Sequence, residues 1–539
     1  MPSFRYKIFI GLTLALAFAL WAAGPAAADT PKRGGTLIMA VPAEPPSFDG
    51  HRETTFALIH PIAPFYSVLI RVNPDDPASP TDFVCDLCTG MPQPTDGGKK
   101  YTFKIRRDAK FWDGQPVTAQ DVAASFNKII FPPEGVASAR KGQFPMVAKV
   151  SAPDDDTVVF ELKFPSGAFM PSLASPYNFI YSKKTLDKDA RWYEKNILGS
   201  GPFKFKERQA GAFIEGVRNP DYYHKGKPYL DGFRAIFADK ESVRVQAIRG
   251  GRAHIEFRGF PPKSRDDLKS ALGDKLTVQE SDWNCSLLIA PNHLKKPFDD
   301  VRVRRALTLA VDRWQGSKYL SQIAIVKTAG GVVFPGHPLA AKKEELEKLA
   351  GYWPDIAKSR AEAKKLLAEA GYPNGFEFTL HNRAVDQPYK IVGTWLIDQW
   401  RQVGLKVKQW VQPTGPFYQV LRSRSDKYDV SIDFNCQAVV NPLADVSKFI
   451  SQSVSGSNHA NYEDKVLDEL FSKMNSSGDL EEQQKLMRQF EKRVLDEEAR
   501  YFITLWWYRI IPHRSSVKGW KISPSHYLNQ DLSNIWIEE

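Results

Sequence analysis

The chain has 539 residues, of which 42% are hydrophobic and 25% are charged, a composition that is ordinary for a globular protein. Single hydrophobic cores stop growing at about 250–300 residues, so we expect two or three lobes. A formal net charge of +11 suits a nucleic-acid partner. The basic residues are dispersed among apolar positions, however, as at Arg302, Arg304 and Arg305. We therefore expect no nucleic-acid binding.

The N-terminus is typical of a secretory signal peptide. Arg5 and Lys7 form a basic region, an Ala-rich apolar stretch follows from Ile8, and the small residues before Asp29 offer a cleavage site. We predict a signal peptide over residues 1–28, cleaved after Ala28, with a retained membrane anchor as the alternative. No later apolar run approaches the roughly 20 residues that cross a bilayer. We therefore expect an exported, periplasmic protein.

The predicted elements alternate between strands and helices along the chain. Apolar runs and alternating patterns predict strands over 35–41, 101–105, 157–164, 376–380 and 501–511. Start and stop signals predict helices that begin at Thr118, Asp300 and Asp479, and one over 357–370 that ends at Gly371. This alternation predicts α/β lobes with largely parallel or mixed sheets.

The four cysteines, Cys85, Cys88, Cys285 and Cys436, favour disulfides because an exported chain meets an oxidising compartment. Cys85 and Cys88 form a C-x-x-C motif. Pro92 and Pro94 follow closely and oppose the helix that a thioredoxin-like redox site requires. We therefore expect a short local disulfide there. A four-ligand zinc site is not expected, since no second close Cys or His pair exists.

Motifs for catalysis are nearly absent. The chain has no G-x-S-x-G elbow, no P-loop and no H-E-x-x-H helix, and its ten histidines do not pair at helical ligand spacing. Ser125 to Lys128 matches S-x-x-K, but no K-T-G accompanies it and Phe126 is a core position of an amphipathic helix. We expect no catalytic residues, no cofactor and no metal. An exported hydrolase with an unrecognised site is the alternative.

Four blocks of sequence resemble one protein family. They are YTFKIRRDAKFWDGQPVTAQDVAASF at 101–126, GSGPF at 199–203 with RNPDYY at 218–223, FDDVRVRRALTLAVDR at 298–313 and AKKLLAEAGY at 363–372. They resemble the extracytoplasmic solute-binding proteins of the oligopeptide, dipeptide and nickel type, solute-binding family 5. Members of this family serve ATP-binding-cassette importers.

The resemblance implies a fold and a mode of action. The fold is α/β, a periplasmic binding protein type II fold, with two lobes joined by hinge strands and an inserted subdomain. By the blocks, lobe I comprises 29–70, 192–284 and 505–539, the insertion 71–191, and lobe II 285–504. The resemblance implies a monomer. Its two lobes are expected to close on a small polar solute, which the protein then delivers to a membrane permease. A ligand-delivering signalling protein is the alternative within the same fold.

The resemblance also implies the residues of an interlobe cleft. The expected ligand-binding residues are Glu44, Trp283, Phe434, Asn435, Cys436, Ala438, Trp506, Trp507 and Tyr508. A disulfide between Cys285 and Cys436 is expected beside the cleft. Because neighbours on a strand face opposite sides, we expect one of Trp506 and Trp507 to face the ligand and the other to pack inside.

Ala438 bears on the cargo. Peptide binders of the family hold an aspartate at this position for the peptide's ammonium group, which needs a carboxylate when it is buried. The residue here is alanine. Either Glu44 or Asp445 takes over the ammonium, or the solute lacks one, as in an oligosaccharide, an opine-like compound or a phosphorylated sugar. We favour a non-peptide solute slightly. Nickel is less expected, because no His or Cys cluster is visible.

Overall fold

The computed structural model describes residues 30–79, 81–436 and 441–538. The signal peptide predicted over 1–28 lies outside the described residues, as does Ala438. Within the described ranges, no helix is both long enough and apolar enough to cross a membrane.

The strands build three main sheets. The strands are β1 Thr36–Val41, β2 Ile70–Val72, β3 Phe83–Cys85, β4 Lys100–Lys104, β5 Val147–Asp154, β6 Thr157–Leu162, β7 Phe203–Gln209, β8 Phe213–Arg218, β9 Gly232–Phe237, β10 Leu276–Pro291, β11 Val326–Thr328, β12 Glu377–Arg383, β13 Lys406–Gln412, β14 Val430–Cys436, β15 Phe502–Arg514, β16 Val517–Lys518 and β17 Trp536–Ile537. A four-stranded sheet has the order β1-β9-β8-β7, a six-stranded sheet has the order β11-β15-β10-β14-β12-β13, and a three-stranded sheet has the order β4-β6-β5.

Helices cover these sheets and connect their strands. They are α1 Phe56–Ile62, α2 Ala119–Ile130, α3 Phe169–Leu173, α4 Lys183–Lys188, α5 Glu241–Arg249, α6 Pro262–Leu272, α7 Val301–Leu309, α8 Arg313–Ile323, α9 Lys343–Leu346, α10 Ile356–Glu369, α11 Ile391–Arg401, α12 Thr414–Arg422, α13 Pro442–Asp445, α14 Lys465–Ser476 and α15 Leu480–Lys492. Short 3₁₀ and π turns, such as Ala63–Phe65 and Asp386–Lys390, extend several of them.

Local sequence signals explain where the predicted helices begin and end. Thr118 and Asp121 form a capping box at the start of α2. Asp300 and Asp479 accept backbone N–H groups at the starts of α7 and α15. Gly371 follows α10 in the left-handed region, with φ of +94°. Each predicted boundary therefore lies within one or two residues of the observed one.

The large sheets are mixed, as predicted from the alternation of elements. In the four-stranded sheet β1 and β9 are parallel, and the other pairs are antiparallel. In the six-stranded sheet β12 is parallel to both β13 and β14. The long strands β10 and β15 run antiparallel to each other through the centre of that sheet. The carboxyl ends of three parallel strands therefore meet at one edge.

Both expected disulfides are present. Cys85 and Cys88 pair locally where β3 ends. Cys285 of β10 and Cys436, the last residue of β14, lie opposite each other in the strand register and are bonded. The second bond ties two neighbouring strands of the six-stranded sheet at the edge where the parallel strands end.

Candidate functional site

Two buried arginines lie next to parallel pairings in different sheets, one at the end of a strand and one three residues after a single parallel bridge. Arg383 is the last residue of β12. Arg258 follows Ile255, which forms a parallel bridge with Met39 of β1. Neither side chain has exposed surface. In open α/β sheets, ligands bind beyond the carboxyl ends of the strands. The two arginines therefore mark a candidate binding site between the sheets.

The arginines share an aromatic cluster. The Arg258 guanidinium lies 4.8 Å from the ring centre of Phe56 and 5.8 Å from that of Tyr389. The Arg383 guanidinium lies 5.3 Å and 4.3 Å from the same two rings. Cation–π attraction of this kind is worth about 2 kcal/mol when it is desolvated. It offsets part of the cost of burial but provides no hydrogen-bond acceptor.

Arg258 has no hydrogen-bond partner on any of its three side-chain nitrogens among the described residues. Trp283 and Trp507 complete its surroundings, with ring centres 5.8 and 5.3 Å from the guanidinium. Burial lowers the pKa of Arg258 to about 10, so the group remains charged at neutral pH. A buried cation without a partner costs several kcal/mol.

A tight turn fixes the position of Arg258. The carboxylate of Glu256 accepts hydrogen bonds from the backbone N–H groups of Arg258 and Gly259, both at 3.1 Å. Gly259 has φ of +139°, a conformation that side chains rarely adopt, and a Cβ there would lie only 3.3 Å from the carbonyl oxygen of Ile510. A glycine is therefore required at 259, and the turn holds Arg258 against the cluster.

Arg383 has only hydroxyl partners. Its Nη1 donates to Thr55 Oγ1 at 3.1 Å and its Nη2 donates to the hydroxyl of Tyr389, while Nε has no partner in the described part of the chain. The ring of Phe434 lies 5.2 Å from this guanidinium. No carboxylate of the described chain lies within hydrogen-bond distance of Arg383. Both guanidiniums thus keep their positive charge without a bonded anion.

A partly buried ion pair joins the two sides of the site. Arg422, the last residue of α12, donates to both carboxylate oxygens of Glu53 at 2.9 and 3.0 Å. Glu53 lies two residues before Thr55, which accepts from Arg383. Both contacts connect the segment before α1 with the six-stranded sheet and its helices. Bidentate pairs of this kind fix relative orientation as well as contributing energy.

Two cavities adjoin the cluster. An inner cavity of about 60 Å³ is lined by Phe434, Asn435 and Asp445, among others. An outer groove of about 620 Å³ is lined by residues of the 132–141 and 452–459 segments and by five basic residues with one acid. Those residues are Arg52, Lys141, Arg191, Arg422, Arg424 and Glu194. The groove therefore favours the approach of anions.

Comparison with family models decides the family. The model of "Bacterial extracellular solute-binding proteins, family 5 Middle" matches residues 82–458. The chain belongs to this family. The family predicted from the four sequence blocks is therefore confirmed.

Several curated proteins are similar in sequence to this family 5 chain. Di/tripeptide-binding protein 1 of Pseudomonas aeruginosa (strain UCBPP-PA14) is 28% identical over 363 residues, which cover 63% of this chain and 65% of that protein. The chain thus spans less than two thirds of the length of the first curated relatives it matches. These relatives are described as binding proteins, not as enzymes.

Solved structures show the fold. DppA of Helicobacter pylori, in complex with the peptide STSA, has a TM-score of 0.80 at 22% identity and covers 94% of this chain and 99% of its own. AgaA of A. tumefaciens R10, in complex with agropinic acid, has a TM-score of 0.81 at 24% identity with the same coverage. The family 5 chain therefore has the type II periplasmic binding protein fold, as predicted.

Three of the residues implied by the family resemblance lie in the arginine cluster. Trp283 and Trp507 face each other across β10 and β15 with ring centres 4.9 Å apart, and both contact Arg258. Phe434 contacts Arg383 and lines the inner cavity. Asn435 and Cys436 line the same cavity. These positions are compatible with ligand binding, which stays a prediction for each of them.

The structure places three other implied residues elsewhere. Trp506 points to the opposite face of β15, where its indole N–H donates to the carbonyl of Gly331. Tyr508 is half-buried, and its hydroxyl donates to Glu280 at 3.1 Å. Glu44 accepts from Arg208 Nε at 3.1 Å and from the Gly211 N–H at 3.0 Å. Its carboxylate is therefore already paired.

A histidine lies beside the second disulfide. His526 Nδ1 accepts from the indole N–H of Trp283 at 2.9 Å and is 3.7 Å from the sulfur of Cys285. Burial lowers the pKa of His526 well below its usual value, so the ring is neutral. Cys285, Cys436 and His526 are close enough to share a metal ion, but both sulfurs are bonded to each other. His526 therefore holds the indole of Trp283 in place through this hydrogen bond.

Sequence reasoning missed the arginines. Arg258 lies in the apolar run Phe257-Arg258-Gly259-Phe260, and Arg383 ends the strand that was predicted over 376–380. A charged residue at the carboxyl end of a buried strand was the available signal, because such ends face the crevice of α/β sheets. The pairing of each arginine depends on distant segments and carries no local signal.

Proposed function

We propose that the protein captures a small, carboxylate-bearing solute outside the cytoplasm and delivers it to a permease of an ATP-binding-cassette importer. The observation that carries this proposal is the pair of buried guanidiniums, Arg258 and Arg383, to which no anionic side chain of the described residues is bonded. A carboxylate accepts two parallel hydrogen bonds from a guanidinium and neutralises its charge. The chain supplies the donors and the solute supplies the missing acceptor.

Capture involves closure between two lobes. We keep the boundaries expected from the sequence, with lobe I at 29–70, 192–284 and 505–539, the insertion at 71–191, and lobe II at 285–504. On this division Arg258 belongs to lobe I and Arg383 to lobe II. A carboxylate that touches both arginines stabilises the closed state, because its contacts exist only there. β10 and β15 serve as the hinge strands.

The hinge has a structural basis. The register of β10 against β15 shifts between Trp283 and Ser286, so the regular ladder is interrupted there. Interrupted pairing bends and twists a strand more readily than an unbroken ladder. The break lies beside the Trp283–Trp507 pair. Rotation at this point would move Arg258 relative to Arg383.

The favoured solutes are acids of the opine type, which combine an amino acid skeleton with a second polar group. AgaA, one of the structures similar in fold, is described in complex with agropinic acid. Ala438 supplies no carboxylate for a peptide's ammonium. Short peptides are the second candidate, because they too end in a carboxylate and the curated relative above is described as a di/tripeptide-binding protein.

Calorimetry on protein that has been unfolded and refolded to remove any co-purified solute tests the proposal. The probes are N-(1-carboxyethyl)alanine, agropinic acid and the dipeptide Ala-Glu, each compared with its amide, in which every carboxylate is a carboxamide. We expect at least one acid to bind with micromolar affinity and its amide at least 100-fold more weakly. Arg258→Met and Arg383→Met should remove binding, whereas Arg249→Met, on the surface of α5, should not.

Three results would overturn the proposal. The first is equal affinity for an acid and its amide. The second is unchanged affinity of both cleft variants. The third is binding of neutral oligosaccharides when none of the acids binds. Native mass spectrometry of the freshly purified protein provides an independent check, because a co-purified solute should carry at least one acidic group.

A further inference from the structure

Asp445 is a buried carboxyl group beside the arginine cluster whose Oδ2 has no partner among the described residues. It is the last residue of α13, and only 6% of its surface is exposed. Burial raises the pKa of this carboxyl well above its usual value. A cation that reaches a buried, unpaired carboxyl group stabilises its charged form.

The described part of the chain supplies no such cation. Lys448 lines the same cavity, but its Nζ bonds Asp433 at 2.7 Å and the carbonyl of Ser457 at 3.0 Å. Arg140 also lines it, and its guanidinium donates to the backbone carbonyls of residues 50, 51 and 53. Both neighbouring cations are therefore committed to other acceptors. Asp445 faces the cavity without a counter-charge.

Phe434 lies next to the Arg383 guanidinium and lines the cavity that Asp445 faces. Its ring lies 5.2 Å from the Arg383 guanidinium and lines the inner cavity together with Asp445. A solute that bonds both groups must therefore carry an anionic group near Arg383 and a cationic group near Asp445. The inner cavity and the outer groove also share Thr54, Ala139 and Ser457 in their linings. A substituent on the cationic group can extend into that groove.

From this geometry we propose that Asp445 binds a cationic nitrogen of the solute, so that the cargo is a carboxylate-bearing amine rather than a simple organic acid or a sugar acid. The inference rests on the proposed function, because it assumes that the carboxylate binds the arginines. It assigns to Asp445 the role that Ala438 cannot perform, and it determines specificity. Open-chain opines with a secondary amine and short peptides fit this class. A lactam such as agropinic acid does not.

Pairs of probes that differ only in the amine measure its contribution to affinity. N-(1-carboxyethyl)alanine is compared with 2,2′-oxydipropionic acid, in which an ether oxygen replaces the amine. Ala-Glu is compared with N-propionyl-Glu, in which hydrogen replaces the ammonium. We expect the wild-type protein to bind the amine of at least one pair at least 100-fold more tightly. In Asp445→Asn the ratio should fall below about fivefold, mainly because the amine binds more weakly.

A control variant separates this effect from a general defect. Glu463→Gln changes a carboxylate whose bonds in the described chain are to Ser453 alone, and it should keep the wild-type ratio. A near-ultraviolet circular dichroism spectrum equal to that of the wild type shows that Asp445→Asn is folded. Asp445→Glu, which keeps the charge, should keep part of the discrimination and serves as a second variant.

The outcomes distinguish the two proposals. If the acids bind, Arg258→Met abolishes binding and Asp445→Asn keeps the wild-type ratio, the carboxylate proposal stands and the role of Asp445 is refuted. Equal affinity of the wild type for both members of each pair refutes it as well. If agropinic acid binds but no acid of either pair does, the carboxylate proposal stands and the role of Asp445 is refuted. If none of the acids binds the wild type, both proposals fail together.

Discussion

Arg244 and Arg258 are both fully buried and only 14 positions apart, yet their surroundings differ completely. Arg244 Nε donates to Glu256 at 3.2 Å, and its Nη1 donates to the carbonyls of Ala238 and Asp239, both at 2.8 Å. Arg258 donates nothing from its side chain within the described chain. The first arginine stabilises the turn around it. The second costs free energy in the absence of a solute, and the proposed carboxylate would offset that cost.

The largest expected change in stability follows from substitution of the paired arginine, Arg244. Arg244→Met removes three hydrogen bonds and leaves Glu256 buried without its cation, so we expect the free energy of unfolding to fall by about 3–5 kcal/mol. Urea titration followed by tryptophan fluorescence measures this change. Arg249→Met, on the exposed face of the same helix, should change it by less than about 0.5 kcal/mol. Equal midpoints for the two variants would contradict the importance of the pair.

The unpaired arginine should behave in the opposite way. Arg258→Met replaces a desolvated cation by an apolar side chain of similar length, so solute-free protein should gain about 1–3 kcal/mol in free energy of unfolding. The measurement requires protein that has been unfolded and refolded to remove any solute. Arg258→Lys, which keeps a buried charge, should show no such gain. A loss of stability in Arg258→Met would mean that the chain itself satisfies this arginine.

This contrast also shows what the sequence could predict. Helix starts at Thr118, Asp300 and Asp479 were predicted from local capping signals, and the observed helices begin one residue later. The pairing of Arg244 and Arg258 could not be predicted in this way. Glu256 is two residues from Arg258 and twelve from Arg244, yet it pairs with the more distant one. Such choices depend on how a turn directs side chains, which the sequence does not state locally.

The same reasoning applies to the aromatic residues of β15. The alternation of a strand predicted that Trp506 and Trp507 face opposite sides, and they do. Which one faces the cluster depends on the register against β10, where Trp507 lies opposite Trp283. Sequence alone fixed the alternation and left the register open, because the register is set by pairing between segments more than 200 residues apart.

Asp445 is a buried acid without a partner among the described residues, and its effect on stability should depend on pH. Its pKa is raised in the folded protein, so from about pH 4 upwards the unfolded chain loses this proton while the folded chain retains it. The wild type should therefore lose up to about 1.4 kcal/mol of stability per pH unit relative to Asp445→Asn, until the folded pKa is reached. Below about pH 4 the contribution should vanish. Urea titrations of both proteins from pH 4 to 8 measure the difference, and a difference that is constant over this range would refute the raised pKa.

The smallest expected effect concerns the ion pair that joins the two sides of the cluster. Glu53→Gln leaves the Arg422 guanidinium without its carboxylate, whereas the arginines proposed to bind the solute are unchanged. We expect about tenfold weaker binding of an acidic solute, or ~1.4 kcal/mol, mostly through faster dissociation. Stopped-flow fluorescence measures the rates, and small-angle scattering should show that the solute-bound variant is less compact than the wild type. If dissociation is unchanged and the scattering curves coincide, the Glu53–Arg422 pair contributes to the fold and not to closure, and the unpaired arginines alone couple the solute to the closed state.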